Sequence, residues 1–394
     1  MHRGIMSKKI EMNAGANTRL AHIGNDPHDY FGFVNPPVVH ASTVLFPDAE
    51  TMASRKQRYT YGTRGTPTSD ALADAMNELE GAAGTILVPS GLAAVTVPLL
   101  AFLSSGDHVL IVDSVYNPTR HFADTMLVRL GVEVTYYDPM VGAGIADLMK
   151  SNTKVVLTEA PGSGTFEMQD IPAIVEAAHK GGAVVMLDNT WATPLFFRPL
   201  DFGVDISIQA ATKYPGGHSD ILLGTVSANE ATWKQLLACH GALGMCAAPD
   251  DVYQVLRGLR TMGVRLERHQ ESALAIARWL EGRAGVARVL HPALESHPGH
   301  AIWKRDFKGA SGLFSIVLDG GDAKKAHAFL NALRIFGLGY SWGGYESLAV
   351  HVQLDDRQVA HAPQEGPVVR LQIGLENVED LKADLERGLA AAGH

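Results

Sequence analysis

Between residues 85 and 227, short apolar runs alternate with helical stretches; the runs read TILVPSG, HVLIVDS, EVTYYDP, KVVLTEAP, AVVMLDNT, DISIQAATK and LLGTVSA. Runs of this length, separated by helix-length segments, predict a mostly parallel seven-stranded sheet covered by helices, an α/β fold. Their polar, Gly-containing tails, among them Ser90-Gly91, Tyr116, Asp188 and Lys213, fall at strand C-terminal ends, where such sheets collect ligands. Beyond Asp250 a long amphipathic stretch carries Arg257, Leu266, Ile276 and Leu280. Strand-like GLFSIVL and helical AKKAHAFLNALRIF follow, as expected of a smaller α+β domain. Val378, Leu381, Leu385 and Leu389 recur at helical spacing near the end. Residues 1–62 have few periodic segments and many Pro, Asn and His, so they are expected to form an arm on another surface, a neighbouring subunit being the natural one. The expected organisation is an arm over 1–62, a large domain over 63–255 and a small C-terminal domain over 256–394.

Charge narrows the range of partners. A formal net charge of −9 with no basic stripe argues against nucleic acid or an anionic membrane, both of which are bound through Lys and Arg clusters. Cys239 and Cys246 lack the spacing of a zinc site or disulfide framework, so they are expected to be plain buried thiols in a reducing cytoplasm. The opening MHRGIMSKKIEMNAG lacks the apolar stretch of a secretory signal. The longest apolar run, AAVTVPLLAFL, is broken by Pro98 and is about half the ~20 residues that a membrane span requires. A soluble protein is expected.

The chemistry starts from Lys213 in ATKYPGGHSD and Asp188 in LDNT. A lysine of ordinary pKa, about 10.4, is almost wholly protonated at pH 7 and is a poor nucleophile. Condensed with a cofactor aldehyde, it becomes an imine that an incoming amino acid can displace, and the freed amine can then move protons. A carboxylate at the end of a buried strand can keep a pyridine nitrogen protonated, which makes the ring a better electron sink. Together the two residues point to pyridoxal 5'-phosphate. In VPSGLAA, the amides of Gly91 and Leu92 open a helix and suit a phosphate, although a serine-capped turn gives the same string. Thr212 could add a hydroxyl. Tyr116 could stack on a ring or be an ordinary core tyrosine. The Gly-rich loop RYTYGTRGTPTSDAL offers Tyr59, Tyr61 and Arg64 for a phosphate in a neighbouring subunit. Arg370, among apolar neighbours in VVRLQIGLE, needs a partner, either a substrate carboxylate or an internal salt bridge.

Two strings are discounted. GSGTFE has Glu167 where a dinucleotide fingerprint needs its third glycine. In HPALESHPGH, Pro292 and Pro298 keep His291, His297 and His300 off a common helix face, so exposed loop histidines are expected in place of a metal site.

With these residues assembled, the chain resembles, over nearly its whole length, the Cys/Met-metabolism family of fold-type I pyridoxal phosphate enzymes. The resemblance implies that Lys213 is the imine-forming lysine, Asp188 the pyridinium partner and Tyr116 the ring-stacking residue, with Gly91, Leu92 and Thr212 on the phosphate. It further implies that Tyr61 serves the active site of the adjacent subunit and that Lys213, Tyr116 and Tyr61 are catalytic. Arg370, Trp342, Ser341 and Tyr340 would meet the substrate. In YSWGGYES, Trp342 follows the pattern of β-acting members, and Tyr340 stands where γ-lyases often have Glu. Two departures stand out. The usual Tyr-x-Arg appears as Tyr61-Gly62-Thr63-Arg64, and Ser-x-Thr-Lys as Ala210-Ala211-Thr212-Lys213, one hydroxyl fewer. The implied reaction is β-elimination of an amino-acid thioether, L-cystathionine, to homocysteine, pyruvate and ammonia, in a homotetramer built as a dimer of dimers. The rivals are γ-acting relatives, a broad cysteine-S-conjugate β-lyase and, from another class, a cofactor-binding regulatory protein without turnover.

Overall fold

The computed structural model describes residues 14–24 and 26–393. Most of the opening segment read for a signal lies outside them. All seven apolar runs form strands: β1 (Gly84–Val88), β2 (His108–Val112), β3 (Glu133–Tyr137), β4 (Thr153–Glu159), β5 (Val184–Asp188), β6 (Ile206–Ala210) and β7 (Gly224–Ala228). They make one sheet in the order β1-β7-β6-β5-β4-β2-β3. The strands β2 to β6 pair in parallel, and β7 runs antiparallel to both β6 and β1. Every residue of β1, β2 and β7 is buried, which is why these runs do not alternate apolar with exposed positions; their few polar residues, such as Thr85 and Ser227, are buried too. The chain first builds β2 and β3 on one side, then β4, β5 and β6 on the other. The crevice between the ends of β2 and β4 is therefore a topological switch point, where doubly wound sheets bind ligands.

Local chemistry sets the helices around this crevice. Ser90 caps the helix Gly91–Phe102 by accepting the amide of Ala93 at 3.1 Å. This helix holds the run with Pro98 and packs its apolar side on β6 and β7. The helix Pro67–Glu80 starts at a capping box between Thr66 and Ser69.

A second sheet contains β8 (Val286–Leu290), β9 (Leu313–Leu318), β10 (Gly337–Leu338), β11 (Leu348–His351) and β12 (Val368–Gln372), in the order β10-β11-β12-β9-β8. The run GLFSIVL supplies β9, and the final segment forms the helix Val378–Ala391, with Leu381, Leu385 and Leu389 buried. The helix Ala323–Ala332 stops earlier than its apolar pattern suggests. The buried Asp384 carboxylate accepts the amides of Arg334, Ile335 and Phe336, which turns the chain away. One helix, Pro249–Leu280, connects the two sheets and runs unbroken through residue 255. Its first half packs with Leu72 and Met76, and its second half with Phe314 and Leu385.

The arm is not uniform. Residues Ala16–His22 form a helix whose Leu20 is fully buried against the long helix, within the chain's own core. Farther on, Phe31 is 95% exposed and Leu45 85% exposed, large apolar side chains facing outward.

Two expectations need correction. His291 and His297 are buried, because their rings accept the amides of Ala293 and Gly299 at 3.1 and 3.0 Å and so satisfy a nitrogen locally. Burial holds both rings well below the usual histidine range, at about 3 and about 4, and neutral. Of the two cysteines, Cys239 is half-buried and Cys246 is exposed in the loop between the helices Glu230–Leu243 and Pro249–Leu280, so neither is a core thiol. Among the described residues no cluster of His, Cys, Asp or Glu could hold a metal ion, and no helix is long and apolar enough to cross a membrane.

Candidate active site

A cavity of about 230 Å³ opens at the switch point and is lined by Gly91, Tyr116, Asp188, Lys213, Trp342 and Arg370, among others. Residues from both sheets thus meet in one place. Asp188 ends β5, and Lys213 lies in a turn just beyond β6, its backbone amide donating to Ala210. Arg370 is central in β12 and projects from the second sheet. Trp342 belongs to the segment before β11 and is wedged 5.6 Å from the Tyr214 ring.

The Nζ of Lys213 donates to Ser341 Oγ at 2.9 Å and lies 5.1 Å from the Trp342 ring centroid. Burial and the nearby Arg370 charge lower its pKa to about 8, with Asp188 acting weakly the other way. A substantial share of the amine is thereby available as a nucleophile near neutrality. Asp188 accepts the amide and hydroxyl of Thr190 at 3.0 and 2.6 Å, which fixes its carboxylate, while burial raises its pKa. Thr190 in turn accepts the amide of Ala210 at 2.9 Å, tying the acid to the segment that carries the lysine. Arg370 donates to the Tyr340 carbonyl at 2.6 Å, and burial lowers its pKa to about 10. The internal salt bridge left open for this residue does not form among the described residues.

These groups fit pyridoxal phosphate. The first amides of the helix Gly91–Phe102 have no acceptor within the helix, and its first two residues, Gly91 and Leu92, line the cavity. A Cβ on Gly91 would stand 2.6 Å from that of Ala210, so glycine lets the helix start approach the end of β6 closely. Asp188 and Tyr116 also line the cavity. The hydroxyl of Thr212 is engaged with the Leu223 backbone, donating to its carbonyl at 3.2 Å and accepting its amide at 3.0 Å.

Other expected residues lie elsewhere. Tyr61, 51% exposed, and Arg64, set against Gly241, do not line the cavity of their own chain. Tyr340 is 88% exposed and enters the site only through its carbonyl. Several lining residues were missed from the sequence, among them Thr190, Glu159, Trp191 and Gly162, Ser163 and Gly164 of the discounted GSGTFE string. Thr190 was signalled by its place two residues after Asp188, and Glu159 by ending a buried strand with a carboxylate.

A buried lysine amine, an acid set for a ring nitrogen and a helix start shaped for a phosphate define a fold-type I pyridoxal phosphate enzyme. The profile of the Cys/Met metabolism PLP-dependent enzymes matches residues 17–390. The chain belongs to this family. It is 73% identical over 384 residues, 96% of this chain and 97% of its relative, to a Rhizobium johnstonii protein provisionally named a cystathionine beta-lyase. It is 44% identical over 387 residues to the cystathionine beta-lyase MetC of Escherichia coli, covering 95% of this chain and 98% of that one. A crystal structure of cystathionine gamma synthase from Xanthomonas oryzae pv. oryzae in complex with cystathionine superposes with a TM-score of 0.89. It is 36% identical, covering 96% of this chain and 98% of that one.

Proposed function

We propose that the protein eliminates the thiol from the β-carbon of L-cystathionine and, with water, yields homocysteine, pyruvate and ammonia. The observation that carries this reading is the placement of Trp342 beside the Lys213 amine, an apolar wall where the sequence pattern of β-acting enzymes has it. Bound in the cavity, pyridoxal phosphate supplies an aldehyde that links to amines and a ring that takes up electrons as the α-proton leaves. The other steps belong to the chain. Arg370 holds the substrate α-carboxylate by a two-point fork. Asp188 keeps a proton on the ring nitrogen. Lys213, displaced by the substrate amine, removes the α-proton and returns a proton to the departing sulfur, with its Nζ steered by Ser341. Gly91 and Leu92 hold the phosphate, joined by Thr212 once its hydroxyl turns its proton from the Leu223 carbonyl to the phosphate, and Tyr116 stacks on the ring and assists the proton transfers.

The remaining contacts come from a second copy. Tyr61 and Arg64 stand outside their own cavity on a segment whose apolar side chains face outward, which supports a homotetramer of two dimers with shared sites. We assign the protein to the cytoplasm, with an arm, a large cofactor domain and a small domain that carries Arg370. The deciding experiment incubates the purified enzyme with L-cystathionine and measures both products. Pyruvate with homocysteine is expected; α-ketobutyrate with cysteine would replace this reading with γ-elimination. Failure to release any thiol from a panel of cysteine thioethers would leave a cofactor-binding protein without turnover.

A further inference from the structure

Tyr116 leaves the end of β2 with φ −49° and ψ 126° and opens the helix Asn117–Phe122 without a side-chain cap. Its amide belongs to no ladder; it donates instead to Glu159 Oε2 at 2.8 Å, across 43 residues of sequence. Glu159 is the last residue of β4 and pairs in register with Asp188 of β5, so the two carboxyl groups leave the sheet on the same face at neighbouring strand ends. Its backbone is fixed as well. Gln169 Nε2 donates to the Glu159 carbonyl at 2.8 Å, and the Tyr137 hydroxyl donates to Gln169 Oε1 at 2.8 Å, with both of these side chains buried. A chain of hydrogen bonds therefore runs from the large core through Glu159 to the backbone of the tyrosine on the cavity wall.

We propose that Glu159 is a positioning residue whose carboxyl group fixes the Tyr116 backbone and so sets the tilt of the phenol ring against the cofactor. This rests on the reading above, in which Tyr116 stacks on the pyridine ring. Burial, and next to it the negative charge of Asp188, push the Glu159 carboxyl well above the usual carboxylate range, while the Tyr116 amide acts the other way. The contact needs only an acceptor oxygen at this reach, so an amide oxygen should serve as well as the carboxyl, whereas a shorter or apolar side chain should not.

The test uses the holoenzyme and the variants Glu159→Gln, Glu159→Asp and Glu159→Met. The readouts are the cofactor dissociation constant and the visible circular dichroism of bound pyridoxal phosphate, which reports ring orientation; thermal denaturation checks folding. Loss of one hydrogen bond to a cofactor-bearing wall predicts cofactor retention weakened about tenfold in the Met variant, with a changed dichroism band. The Asp variant, one methylene short of the Tyr116 amide, should follow the Met variant, and the Gln variant should stay within about twofold of the parent. If Asp matches the parent, or if Gln falls as far as Asp, the positioning role is wrong; this comparison decides even if the Met variant does not fold. A parent protein that binds no pyridoxal phosphate would instead overturn the proposed function.

Discussion

Lys213 and Ser341, 128 residues apart in the chain, meet through a 2.9 Å hydrogen bond from Nζ to Oγ, so the reactive amine is held from the second sheet although it is carried by the first. The bond aims the amine across the Trp342 ring. Removing it in Ser341→Ala should leave the cofactor site intact while freeing the amine to rotate. A loss of roughly 3- to 15-fold in kcat/KM is expected, the size of one hydrogen bond. Steady-state kinetics with bound cofactor measured in parallel would check this; an equal loss of cofactor would contradict it.

The lowered lysine pKa sets a pH dependence. With a pKa of about 8, about one amine in ten is neutral at pH 7, against fewer than one in a thousand for an ordinary lysine. Deprotonation produces the nucleophile, so capture of added pyridoxal phosphate by the apo protein should speed up with rising pH and level off above about 8. Stopped-flow absorbance would show it. A rate still climbing steeply near pH 10 would mean the cavity does not depress this group.

Arg370 has the Tyr340 carbonyl as a partner but pairs with no carboxylate among the described residues, and burial makes its charge costly. A substrate carboxylate would complete it. Arg370→Ala should lower kcat/KM for an amino-acid substrate by at least about 30-fold, as expected for one partner of a buried charge pair. Arg370→Lys should recover little, because an ammonium cannot make the fork. Cofactor affinity should barely change, and the contrast between the two measurements is the check.

The seam between the two sheets rests on another buried charge. Asp113 accepts the amides of Gln358, Val359 and Ala360 at 2.6 to 2.8 Å and pairs with Arg120 at 2.7 Å, while Arg120 reaches Asp356 at 3.2 Å. Burial alone would raise the Asp113 pKa, but the amides of Ala360 and Val359 and the Arg120 charge outweigh it and hold the pKa below the ordinary value. A carboxylate whose folded pKa is depressed contributes stability above its unfolded pKa and loses it as pH falls through the folded value. Replacing Arg120 with Ala should therefore destabilise the protein by about 3–5 kcal/mol near neutrality. The deficit relative to the parent should shrink as pH falls below about 4. Urea unfolding at several pH values would test both statements.

Much of this was legible along the chain because buried parallel strands are continuously apolar, and Asp188, Lys213 and Tyr116 stand at their ends. Trp342 and Arg370 were legible only through their surrounding strings. The buried histidines were not: Pro-flanked His291 and His297 look like exposed loop residues, and only folding shows each ring accepting an amide two residues on. Glu159 escaped because its partner, the Tyr116 amide, lies on another strand's end, a relation that no local pattern records. The inward-packed helix Ala16–His22 was likewise hidden, since one short amphipathic turn in a Pro- and Asn-rich arm carries little periodic signal.

Gly343 ties the specificity segment to the lysine most tightly, and its substitution tests the whole arrangement. Its φ is +83°, in the left-handed region, where an L side chain is strained. An added Cβ would stand 2.9 Å from the Tyr214 amide nitrogen, 3.0 Å from the Lys213 carbonyl carbon and 3.2 Å from the Lys213 Cα. These are backbone atoms of the turn after β6 and cannot swing aside as a flexible side-chain tip would. Gly343→Ala must therefore push the segment holding Ser341 and Trp342 away from Lys213. The strain should cost about 1–3 kcal/mol of stability. The misplacement should cost more where it matters, lowering kcat by about 100-fold, because a shift of roughly 1 Å in a catalytic constellation has an effect of that order. The expected result is a folded protein that binds cofactor and retains much of its thermal stability but turns over slowly. Near-normal turnover with a large drop in stability would show that the segment serves packing alone.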